Sequence, residues 1–144
     1  MNVLSKTIST LRLGLPKGSM QNGVLDVLAD AGIRTRTTSR SYRPAVGLER
    51  VDAKLLKPQS IIEMLALGSR DVGFAGADWV AELGADVVEV LDTGLDPVRL
   101  VAAAPESFLE DGWLPSRPLI VASEYANLTT QWIREKGLDA RLLR

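Results

Sequence analysis

Apolar positions in this chain follow two spacings in alternation. Leu11, Leu13 and Leu15 recur every second residue and predict a short strand that Pro16 stops. Met20, Val24, Val27, Leu28 and Ala31 then recur at helical spacing, and Gly32 follows where a helix end favours positive φ. Alternating Thr and Arg over 34–38 predict a half-exposed strand, and Tyr42-Arg43-Pro44 a turn. Val51 to Leu56 predicts another strand. Pro58 then opens a helix whose buried face is Ile61, Ile62, Leu65 and Ala66, ending at Gly68. Val72 to Ala75 reads as a short apolar strand, followed by a helix Trp79–Leu83 with Asp78 before it and Gly84 after it. Val87–Leu91, Val98–Ala104, Leu119–Ala122 and Ala140–Leu143 predict four more strands, the second of them buried on both faces. A helix starting at Asn127 or Thr129 carries Trp132 and Ile133 to Gly137.

Strands alternating with helices define an α/β protein with mainly parallel sheets. Gly94-Leu95-Asp96-Pro97 separates two apolar runs and marks a lobe boundary. The expected organisation is a flexible leader over 1–10, a first α/β lobe over 11–95, and a second α/β lobe starting at 96 and truncated at 144.

Composition narrows the chemistry. Of the 144 residues, 46% are hydrophobic and 24% charged, as in a soluble globular domain. A net charge of −1 gives no reason to expect nucleic acid or a membrane surface as partner. No apolar run reaches the roughly 18 residues that span a bilayer, and residues 1–10 lack a signal-peptide core, so a cytoplasmic protein is expected. Cysteine and histidine are absent. Disulfides, thiolate nucleophiles and Ser-His-Asp triads are thereby excluded, along with the commonest transition-metal ligands. The remaining tools are carboxylates, lysine, arginine, backbone dipoles and a hard cation.

Four constellations use those tools. At Lys17-Gly18-Ser19 a strand ends and a helix begins. The N–H groups of all three residues, the helix dipole and the Lys17 ammonium are expected to face an anion, with phosphate or a nucleotide as first choice. Residues 34–57 hold seven cations against two anions, which either focus an anionic ligand or keep an edge strand solvated. Arg43, between Tyr42 and Pro44, is expected in a rigid turn that presents it. At Gly76 and Asp78 a buried strand gives way to a helix. Gly76 allows close backbone approach, and Asp78 either caps its helix or accepts from a ribose hydroxyl or an amine. Asp92-Thr93-Gly94 with Asp96 reads as a hinge whose carboxylates form turns or meet Mg²⁺, and no metal ligands are assigned. Arg99, inside an apolar run, must pair or point into a cleft.

In order along the chain, several segments resemble the catalytic chain of ATP phosphoribosyltransferases. They are Leu-Pro-Lys-Gly-Ser (15–19), Ser-Arg-Ser-Tyr-Arg-Pro (39–44), Lys-Pro-Gln (57–59) and Val-Gly-Phe-Ala-Gly-Ala-Asp-Trp (72–79), then the run 85–103 and Val-Ala-Ser-Glu-Tyr-Ala-Asn-Leu-Thr (121–129). The resemblance implies a two-lobed, periplasmic-binding-protein-like (type II) fold with the ligand between lobes. It implies transfer of phosphoribosyl from 5-phosphoribosyl 1-diphosphate to N1 of ATP, the first step of histidine biosynthesis, with Mg²⁺ on the diphosphate. A homo-oligomer or a regulatory subunit is implied as well. Ligand contacts then fall to Lys17, Gly18, Arg43, Gly76, Asp78 and Arg99, and no catalytic base is assigned. The chain departs from the family at Ser60, usually acidic, and at Ser19, where many members have Arg. It also ends before the Thr-Gly-rich loop for the donor's 5-phosphate. Little transfer by residues 1–144 alone is therefore expected. The alternatives are a non-catalytic module for a nucleotide or phosphometabolite, or an inactive gene fragment.

Overall fold

The computed structural model describes residues 9–144, so the leader expected over 1–10 lies outside the described residues except for Ser9 and Thr10. The elements, in order, are β1 (Leu11–Pro16), α1 (Met20–Asp30), β2 (Thr35–Thr38), β3 (Ser41–Val46), β4 (Val51–Leu56), α2 (Pro58–Ala66), β5 (Val72–Gly73) and α3 (Ala77–Leu83). A single 3₁₀ turn at Glu106–Phe108 follows, then β6 (Leu119–Ala122), α4 (Ala126–Glu135) and β7 (Ala140–Leu143). β1 lies between β4 and β5 in a parallel sheet, β2 and β3 form an antiparallel hairpin, and β6 and β7 pair in parallel.

The alternation in β1 decides the layering. Leu13 and Leu15, with Ala53 and Leu55 of β4, bury one sheet face against Val24 and Leu28 of α1. The opposite face is floored by glycine. A Cβ at Gly14 would lie 3.1 Å from Ile61 Cγ2, and one at Gly73 only 2.5 Å away, so both glycines let α2 seat Ile61 against the strands. Ile61 is completely buried as a result. Outside this core, Ala31 and Ala66 are exposed rather than buried as the spacing predicts, because Ala31 lies just past the end of α1 and Ala66 is the last residue of α2.

Three expectations are corrected. Tyr42-Arg43-Pro44 is not a turn but part of β3, and the reversal falls at Ser39-Arg40. Pro44 is tolerated because the ladder shifts register between the Arg36↔Ala45 and Thr38↔Ser41 pairs, so its missing N–H breaks no regular bond. Val87–Leu91 and Val98–Ala104 form no strands. A strand needs a neighbour to pair its backbone, and no neighbouring strand lies beside either segment among the described residues. Val88 and Val90 are each 86% exposed, the opposite of a doubly buried strand. Finally, α4 begins at Ala126, just before the expected start.

Candidate functional site

Parallel pairing brings the carboxyl ends of β1 and β4 side by side, with Pro16 opposite Leu56. The Lys17 N–H donates to the Leu56 carbonyl at 2.8 Å, anchoring the loop after β1 to the end of β4. This corrects one expectation, since that N–H is not available to an anion. The N–H groups of Gly18 and Ser19 meet no acceptor among the described residues, and Gly18 makes the turn at φ +86°. At α1, Ser19 provides no side-chain cap.

Beside the end of β4 lies a cavity of about 440 Å³ lined by Leu55 and Leu56. Its walls carry Lys17, Arg43, Lys54 and Lys57, together with Tyr42 and Ser60. Four cations and no carboxylate thus converge on one space. Lys57 precedes α2, whose first turn holds no acidic residue and no side-chain cap, so the positive end of that helix adds to the potential. The Lys17 ammonium sits 3.9 Å above the Tyr42 ring centre. Arg43 is exposed on β3 and donates to Asp52 Oδ1 at 2.7 Å. A second hollow, lined by Leu11, Leu48, Glu49, Arg50 and Val51 among others, lies at the amino ends of the same strands. Ligands of open α/β sheets bind at the carboxyl ends, so the basic cavity is the candidate site. Its side chains donate and carry charge; they are suited to gripping a polyanion.

The structure therefore brings together Lys17 and Arg43, with Gly18 next to Lys17. Lys54, Lys57, Tyr42 and Ser60 join them, which sequence reading does not single out as contacts. The signal was present in the basic excess over 34–57, but only strand parity and parallel register show which cations share a wall. Gly76 and Asp78 follow β5 but do not line this cavity. Asp78 does not cap α3, whose N-cap is Gly76. It accepts instead from the Tyr125 hydroxyl, and a Cβ at Gly76 would collide with its Oδ1. Burial and this bond to Asp78 raise the Tyr125 phenol above its ordinary 10.0. Trp79 stacks on Tyr125 with ring centres 4.7 Å apart. Arg99 is exposed and forms no hydrogen bond or ion pair among the described residues, so it is neither paired nor in this cavity. Asp92 accepts from the Gly94 N–H at 2.8 Å, a turn-forming role. Among the described residues no group of three or more His, Cys, Asp or Glu is placed to hold a metal.

A basic cavity at the carboxyl ends of parallel strands defines an α/β protein with a candidate anion site. The family model described as HisG, ATP phosphoribosyltransferase, matches residues 57–144, and the chain belongs to that family. An ATP phosphoribosyltransferase of Prosthecochloris aestuarii is 37% identical over 144 residues, covering 96% of this chain and 49% of the relative. One from Pelotomaculum thermopropionicum is 35% identical over 135 residues, covering 90% and 47%. The chain thus spans about half the length of the curated relatives it matches. The solved ATP phosphoribosyl transferase (HisG:HisZ) complex from Thermotoga maritima superposes with a TM-score of 0.69 at 20% identity, covering 93% of this chain and 63% of that one. That likeness establishes a shared fold.

Proposed function

We propose that the chain is the N-terminal portion of an ATP phosphoribosyltransferase and supplies one wall of its substrate cleft. The observation that carries this reading is the convergence of Lys17, Arg43, Lys54 and Lys57 on one carboxylate-free cavity. In the proposed reaction, N1 of the adenine of ATP attacks C1 of 5-phosphoribosyl 1-diphosphate. A C–N bond forms as the C–O bond to diphosphate breaks, and the electron pair leaves with the diphosphate. N1 carries no proton to be removed before attack, which suits a chain without histidine or cysteine. The four cations hold a phosphate chain, orient it, and offset negative charge that grows on the leaving group. Mg²⁺ enters as part of the substrate, on the diphosphate. The lining side chains include no carboxylate to hold the ion, so no step is assigned to it.

The remaining elements of the reading are proposals of the same kind. Residues 11–95 form a first lobe and 96–144 begin a second, in a periplasmic-binding-protein-like arrangement with the cleft between them. Gly76, Asp78 and Arg99 approach ligand only through that cleft. The whole protein is cytoplasmic and works as a homo-oligomer or with a regulatory subunit. Calorimetric titration of the 144-residue chain with ATP, alongside an assay for phosphoribosyl-ATP, tests the reading. Saturable ATP binding with little turnover is expected, since about half of the relatives' length is not in this chain. Absence of ATP binding by the folded chain would overturn the site. Turnover at the rate of full-length relatives would overturn the need for the other half.

A further inference from the structure

Beside Asp52 of β4 stands a buried charge that the proposed chemistry does not use. Arg70, in the loop between α2 and β5, has a side chain only 6% exposed. Its Nη1 donates to the Asp52 carbonyl at 3.1 Å and its Nη2 to Asp52 Oδ2 at 3.2 Å. Its Nε is buried without a partner. Removing an arginine from water is costly unless an opposite charge meets it, and Asp52 is the carboxylate that does. The other oxygen of that carboxylate, Oδ1, accepts from Arg43 at 2.7 Å. One carboxylate on β4 therefore serves two guanidinium groups, one buried and one at the rim of the cavity.

We propose that Arg70 is a positioning residue for Arg43, acting through Asp52; this rests on the reading of the cavity as a polyanion site. Arg70 grips Asp52 at its backbone carbonyl and at Oδ2, which fixes where Oδ1 stands. Oδ1 in turn holds the long Arg43 side chain at the cavity rim, removing part of its rotamer freedom before a ligand arrives. Because the carboxylate is shared, the three groups carry a net positive charge. Arg43 is thus held in place without being neutralised. Without Arg70, both oxygens of Asp52 turn to Arg43, whose planar fork accommodates a bidentate grip. Arg43 is then withdrawn from the ligand.

The test is a double-mutant cycle read by calorimetric titration with ATP and with inorganic diphosphate. Arg70→Met is expected to weaken binding by about threefold to tenfold, the size of a typical coupling between residues in one network. Arg70→Lys, which keeps the charge, is expected to recover part of that loss. In an Arg43→Met background, Arg70→Met is expected to change nothing further, because its effect runs through Arg43. Equal weakening in both backgrounds would overturn the inference and make Arg70 a structural residue only, and no weakening in either would overturn it too. Asp52→Asn gives a second arm should Arg70→Met fail to fold. Weaker binding, despite the loss of a negative charge near the cavity, supports the positioning role; tighter binding overturns it. If the wild-type chain binds neither probe, the polyanion reading falls and the inference with it.

Discussion

Ser60 shows how one residue trades stability against binding. It lies in the first turn of α2, where an acidic side chain favours the helix, and also on the wall of the basic cavity. Ser60→Glu is expected to raise stability by about 0.5 kcal/mol through the helix dipole while weakening ATP binding. Chemical denaturation and titration on the same variant read the two opposite signs. Gly73 is constrained by packing, because a Cβ there would press on Ile61 Cγ2 and on the Gly14 carbonyl. Gly73→Ala is expected to destabilise the chain by about 1–3 kcal/mol, the usual cost of overpacking a core, measured by denaturant unfolding. Asp71 gives the pH dependence. Arg12 donates to its carboxylate through side chain and backbone, holding it down from 3.8 to about 2. A lowered carboxylate pKa stabilises the fold at pH values above the unfolded value of 3.8, and that contribution disappears as pH falls through 2. Carboxyl-carbon NMR should place the Asp71 midpoint near 2, and Arg12→Met should return it towards 3.8. Lys17, Gly18 and Arg43 were legible from sequence as candidate anion contacts, and Lys17 and Arg43 line the basic cavity. The backbone role of Lys17 was not, since its N–H partner at Leu56 is distant along the chain.

At the scale of elements, α3 and α4 show what spacing alone does not reveal. Glu82 is 5% exposed, which apolar periodicity gives no reason to expect of a glutamate in a short helix. Its Oε1 and Oε2 accept from the N–H groups of Asn127 and Leu128 at 2.8 and 2.9 Å, and its carbonyl accepts from the Asn127 side chain at 2.7 Å. The missing N-cap of α4 is thus supplied by a carboxylate on another helix. Glu82→Ala is expected to cost about 2 kcal/mol, as two helix N–H groups lose their acceptor. Hydrogen exchange at Asn127 and Leu128 should quicken more than exchange in β1. The helices and the central strands were readable because each buries one face at a regular period. The turn predicted at Tyr42–Pro44 was misplaced because proline also fits where a strand ladder shifts register.

For the whole molecule, the stretch 86–104 is decisive. Val88, Val90, Leu91, Val98, Leu100 and Val101 are all exposed, on segments without a paired neighbour among the described residues. Such a run of apolar surface and open backbone promotes self-association. Light scattering of the chain is expected to rise with concentration, and the pair Val88→Lys and Val101→Lys should suppress that rise without changing the unfolding free energy by more than about 0.5 kcal/mol. The sequence by itself determined the α/β class, the order of the core elements and the basic character of 34–57. These follow from local period and charge, which a chain carries without folding. Tertiary structure alone decided which cations face one another, that Asp52 joins Arg43 to a buried Arg70, and that Glu82 caps α4. Each of those pairings depends on strand register and helix packing between residues remote in the chain, and no local spacing encodes such distances.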